Sequence, residues 1–159
     1  MSDASFEDGA YAERPLRIAG QTEDDLNVIS ALLQDAVGTV REISWMPKRR
    51  RLIVLVNRFR WEDHEAAGRE RRPAERVRCA LVADGVLRVR GRGIDPRDPE
   101  TVFSLLAIRF EAGDDGAGTL VLQLAGDGDV ALGVECIDVR LVDLTKPWEA
   151  KGAPSHDLE

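Results

Sequence analysis

The sequence predicts an α+β domain: mainly antiparallel β-sheet, with one N-terminal helix packed on it. Three observations carry that expectation. From Leu120 to Leu144 (LVLQLAGDGDVALGVECIDVRLVDL) apolar residues recur at every second position on both sides of a Gly/Asp turn, which is the period of a strand. The same period returns elsewhere between turns rich in glycine and proline. Only one segment, 22–36, carries clear helical spacing instead.

A chain of 159 residues, 32% charged and 43% hydrophobic, has the balance of a globular protein that buries its core without metal or disulfide staples. One domain is expected over 16–148, with an aperiodic acidic leader at 1–15 read as disordered and a polar tail at 149–159 read as flexible. The leader lacks the apolar run of a secretory signal, and the longest aliphatic run, Leu52 to Val56, is far too short to span a bilayer. A cytoplasmic location without membrane contact is therefore expected. Cys79 and Cys136 are expected as buried reduced thiols, and their separation in space is open. The net charge of −7 is laid out in blocks: 48–97 holds 15 basic against 7 acidic residues, and 98–148 holds 3 against 10. Such blocks form pairs within one molecule or across a dimer, or create a basic and an acidic face.

Taken in order, Leu16 to Gly20 reads as a short edge strand. The helix follows. Thr22 and Asp25 make a capping-box pair, and Glu23, Asp24 and Asp25 put negative charge at the positive end of the helix dipole. Leu26, Ile29, Leu33 and Ala36 then form the apolar stripe, and Gly38 is the expected stop. From Val40 the period becomes two, with Ile43 and Trp45 on one face, until Met46 to Arg50 turns the chain. In Arg51 to Trp61 the odd positions Ile53, Leu55, Asn57, Phe59 and Trp61 form one face. The even positions Leu52, Val54 and Val56 give way to Arg58 and Arg60, so this strand is expected to leave the core at its end. Residues 62–75 read as a long polar loop.

Val77, Cys79 and Leu81 alternate, as do Leu87 and Val89 beyond Ala83, Asp84 and Gly85. A two-residue turn sets Leu81 opposite Arg88. A three-residue turn with Gly85 left-handed pairs Leu81 with Leu87 and Cys79 with Val89, so that hairpin is the expectation. It puts Arg78, Arg88 and Arg90 on one exposed face, with Arg92 beyond. After a loop at 91–100, residues 101–111 read as a strand, with 101–105 open between strand and a helical turn. In the last hairpin Leu120, Leu122 and Leu124 match Val130, Leu132, Val134 and Cys136 only across an odd loop, placed at Asp127 to Asp129 or slightly longer. Beyond Ile137 the apolar parity shifts, read as a bulge, before Pro147 stops the strand and Trp148 covers the core.

No catalytic set, metal set or cofactor is expected. Gly126 to Asp129 is a single Gly/Asp turn, whereas calcium loops of that kind come in tandem. His64 sits among carboxylates, but the only other histidine, His156, lies in the tail. Cys136 lies between acids that raise a thiol pKa, with no histidine on a strand to serve as its base. Phosphate-cradling loops, nucleophile elbows and paired cysteines are missing from the sequence. The arginines carry the partner potential: Arg49, Arg50 and Arg51 at a turn, Arg69, Arg71 and Arg72 in the long loop, and above all Arg78, Arg88, Arg90 and Arg92 as candidate binding residues. The acidic total and the lack of aromatics between them argue against nucleic acid.

Several segments together resemble one family: Asp24 to Leu26 leading into Ser30 to Ala36 (SALLQDA), Asn57 to Phe59 (NRF), Arg92 to Ile94 (RGI), Ser104 to Phe110 (SLLAIRF), Val134 to Ile137 (VECI) and Leu144 to Trp148. That family is a set of small alphaproteobacterial proteins classed only as a domain of unknown function. The resemblance covers about residues 16–148. It implies a bacterial cytoplasmic protein and supplies no functional residues. The function expected is a non-enzymatic binding or assembly module whose partner is a second copy of itself or another cytoplasmic protein. The alternatives are RNA association through the arginine face and an enzyme or sensor for a small metabolite. Periodicity leaves open whether the strands curl into a barrel-like or PH-like arrangement.

Overall fold

Alternating apolar residues become strands in a computed structural model of the chain, which describes residues 15–60, 75–144 and the backbone of 148–149. The elements are β1 (Arg17–Gly20), α1 (Glu23–Leu33), β2 (Val37–Thr39), β3 (Ile43–Met46), β4 (Arg51–Phe59), β5 (Glu75–Asp84), β6 (Val86–Arg92), β7 (Val102–Ala112), β8 (Gly118–Leu124), β9 (Asp129–Val134), β10 (Val139–Asp143) and β11 (Trp148–Glu149). All strand pairs are antiparallel along the path β1-β10-β5-β4-β2-β7-β8-β9-β6; β3 also pairs with β4, and β11 with β5. The two ends of that path, β1 and β6, do not pair with each other. The barrel expectation is corrected on this point: the sheet is bent but open.

Short β2 joins two halves whose inner faces share one core. Leu52, Val54 and Val56 of β4 and Cys79, Leu81 and Ala83 of β5 meet Leu120 and Leu122 of β8 and Val130, Leu132 and Val134 of β9. Leu26, Ile29 and Leu33 of α1 enter the same cluster. The helix starts where its cap predicts: Thr22 Oγ1 accepts the Asp25 N–H at 3.1 Å, and the Asp25 carboxylate accepts the N–H of Thr22 at 3.2 Å and of Gln21 at 2.9 Å. It ends at Leu33, earlier than the stripe suggests, because left-handed Asp35 (φ 67°) turns the chain and delivers Ala36 to the core as a non-helical residue. Gly38 does not stop the helix. A side chain there would lie 2.9 Å from both Leu55 O and Phe103 Cζ, so glycine lets β2 wedge between β4 and β7. The helix also covers the edge of β7 beyond β2, where Ser30 Oγ accepts the Ile108 N–H at 2.9 Å.

The expected β5–β6 hairpin is corrected. β5 lies between β4 and β10, while β6 pairs with β9 in the other half. Gly85 is left-handed as expected (φ 70°), but it turns a corner between halves. A second crossing lies beside it: the Glu135 N–H bonds Gly85 O, and the Asp84 N–H bonds Asp138 O. The parity shift after Ile137 is therefore a change of half, not a bulge. β9 ends at Val134, so Cys136 is exposed, against the expectation of a buried thiol; Cys79 is buried, and no disulfide joins them.

The β8–β9 loop is odd as expected, but centred two residues earlier: Leu122 faces Val130, Leu120 faces Leu132, and the Leu124 N–H bonds Gly128 O. Residues 102–112 are strand throughout. On β4 the even positions are the core positions and Arg58 stays among them, fully buried, so the strand does not leave the core there. The leader at 1–14, Trp61, the loop at 62–74 with His64, Arg69, Arg71 and Arg72, the side chain of Trp148 and the tail at 150–159 lie outside the described residues.

Candidate functional site

Two strand edges flank one cavity and, among the described residues, have no second strand beside them. β3 pairs with β4 alone and β6 with β9 alone; among the described residues the second edge of β6 makes one backbone bond, Val86 N–H to Arg50 O at 2.9 Å. Register decides what lies between them. Ile43 stands opposite Val54 and Trp45 opposite Leu52, so both rings and branches turn inward with the core residues of β4. On β6 the register shifts between Val86 and Arg88, after which Val89 and Gly91 face inward. Arg88, Arg90 and Arg92 face outward opposite Gly133, Ala131 and Asp129. The inward set lines a cavity of about 310 Å³ with Leu52, Val130, Ile94 and Pro96.

The loop after β6 roofs this cavity. Val40 N–H bonds Thr101 O and Arg41 N–H bonds Pro99 O, both at 2.9 Å, and Arg41 pairs with Glu100. Asp95 accepts the Arg97 backbone N–H at 2.9 Å and its guanidinium, which holds the carboxyl below its ordinary range. At the other end Gly93, with φ 71°, lies against Gly128; a Cβ on Gly93 would come within 2.9 Å of Gly128 Cα. A larger cavity of about 480 Å³ opens on the far side of Ile94, between β7 and the β8–β9 turn. Three of its backbone groups are already used, Ser104 O with Ala125 N–H and Asp35 N–H with Leu105 O.

The four candidate arginines do not form one face. Arg78 sits on β5 in the other half, half-buried against Glu42, with Asn57 Oδ1 at 3.5 Å. Arg92 bonds Asp129 at 2.7 Å, a hydrogen bond that raises its pKa above the ordinary guanidinium range. Arg88 and Arg90 remain together, exposed on the outer face of β6, with no carboxylate partner among the described residues. Lys48 and Arg49 are exposed and equally unpaired, in the 3-10 turn Pro47–Arg49 beside β6. Much of the remaining basic block is neutralised inside the molecule by the acidic one, through Arg50–Glu135, Arg58–Asp143 and Arg92–Asp129.

Among the described residues, no group of three or more His, Cys, Asp or Glu is placed to hold a metal. Glu135, beside Cys136, is engaged by Arg50. The sequence shows Ile43 and Trp45 as a strand face but not as a cavity wall; the signal was a short strand with one identifiable neighbour. A family model described as "Protein of unknown function (DUF2948)" matches residues 16–156. No curated protein and no solved structure matches the chain.

Proposed function

We propose, for a chain that belongs to the DUF2948 family of proteins of unknown function, a non-enzymatic role as a binding module that takes an apolar group of a protein partner between β3 and β6. The observation that carries this reading is a cavity walled by Ile43, Trp45 and Val89, between two strand edges that have no second strand among the described residues. Its volume of about 310 Å³ is at the small end for a ligand site and roughly twice that of a cavity known to hold benzene. Its described lining is aliphatic, aromatic and backbone, which suits an apolar group. No helix among the described residues is long and apolar enough to cross a membrane.

A polyanion reading rests on Arg88 and Arg90, which have no carboxylate partner among the described residues. Their neighbours on the outer face, Thr119, Ala131 and Gly133, offer no ring on which a base can stack, so a protein partner is favoured. The test is a titration with anilinonaphthalene sulfonate, an apolar fluorescent anion. One saturable site is expected, removed by Val89→Phe, which fills the cavity, and kept by Val28→Ser on the exposed side of α1. Unchanged binding in the Val89→Phe protein overturns the assignment.

A further inference from the structure

We infer that the gap between β3 and β6 is a strand-acceptor site: an extended segment of a partner protein, apolar at alternate residues and acidic at the others, adds to the free edges. The inference rests on the cavity being the binding site and names what enters it. Among the described residues neither edge has a second strand and, apart from the Val86 N–H to Arg50 O bond, each presents unpaired backbone donors and acceptors, which an incoming strand satisfies by β-augmentation. Inward residues on both sides, Ile43 and Trp45 against Val89 and Gly91, give the added strand one apolar face because its side chains alternate. Its other face comes out beside Arg88 and Arg90, and its end beside Lys48 and Arg49. These exposed cations have no carboxylate partner among the described residues, whereas Arg92, farther along β6, already has Asp129. Opposite charges directly across a strand pair attract, so a partner strand with carboxylates at these positions complements the exposed cations. A nucleic acid meets neither the edges nor the apolar wall.

The test titrates the full chain with a fluorescein-labelled octapeptide of alternating leucine and glutamate, followed by anisotropy. Comparison peptides carry lysine for glutamate, or proline at alternate residues to remove the N–H donors, and an oligouridine serves as competitor. Only the glutamate peptide is expected to bind. Its affinity is expected to fall about tenfold in R88E/R90E and in Val89→Phe, with circular dichroism confirming the fold of each variant. Amide exchange at 43–46 and 87–92 is expected to slow on binding. Equal binding of the lysine or proline peptide, competition by oligouridine, or self-association through the same edge without peptide overturns the inference. If anilinonaphthalene sulfonate still binds in a Val89-dependent way while the glutamate peptide does not, the strand-acceptor inference fails and the cavity reading stands. If both are lost, both fail.

Discussion

Arg58 and Asp143 meet on the inner face of the sheet across β5, with Nε and Nη2 lying 3.1 and 3.0 Å from the two carboxylate oxygens and neither side chain more than 5% exposed. The same carboxylate accepts the Leu16 N–H at 3.0 Å, so one side chain ties the start of β1 to β10 and β4. Removing one member of a buried pair leaves the other charge in a low dielectric. Asp143→Ala is expected to cost about 3–5 kcal/mol in urea denaturation. The double replacement Arg58→Met with Asp143→Leu is expected to cost less than the single one. A single-variant loss below about 1 kcal/mol removes the pair from this role.

Gly85 and Gly93 are both left-handed but differ in surroundings. At Gly85 the nearest atoms to an added Cβ belong to Glu135, at 3.7 Å or more, so Gly85→Ala carries the backbone term alone, about 1 kcal/mol. At Gly93 the added carbon also collides with the Gly128 backbone, and Gly93→Ala is expected to cost about 3 kcal/mol. Equal losses in the two variants are inconsistent with the Gly93–Gly128 contact.

The cap of α1 is separable from its packing. Thr22→Ala is expected to cost about 1 kcal/mol. The Asp25 carboxyl is held below its ordinary value of 3.8, first by the Gln21 backbone N–H and then by Thr22. A depressed folded pKa stabilises the fold above the unfolded value and loses that contribution as pH falls through the folded one. Thermal melts of wild type and Asp25→Asn are therefore expected to differ near neutrality and to converge in acid below 3.8. A gap that widens on acidification contradicts the sign.

The two thiols are expected to react in sequence. Cys136 is exposed where the chain crosses between halves, and Cys79 is buried on β5. A maleimide added to native protein is expected to modify Cys136 alone, with Cys79 following only in denaturant, as read by peptide mass spectrometry. Early labelling of Cys79 contradicts the register of β5.

Strand parity is legible because it is local: each residue's face follows from its neighbours along the chain. Thus the α1 cap, the odd β8–β9 loop and left-handed Gly85 are all readable from the sequence. Strand partners are not, since alternation is the same whichever strand lies alongside, and β5–β6 accordingly looks like a hairpin. Arg58 and Asp143 do leave a trace. Each sits in phase with the core residues of its own strand, Leu52, Val54 and Val56 in one case and Val139 and Leu141 in the other. Two opposite charges at core parity are a readable sign of a buried pair. The cavity leaves no such trace, because its walls come from β3, β6 and the loop after β6, which periodicity cannot bring together.

β1 pairs with β10, Arg17 opposite Val142, across nearly the whole chain. At ribosomal speeds the interval between making the two strands is on the order of 10 s. The hairpin of β8 and β9 needs no such wait, its loop being only a few residues long. Closure of the β1 edge therefore waits for the synthesis of β10. β1 emerges with Ile18 unburied and its ladder unmade, and it becomes structure only when Asp143 arrives to receive it.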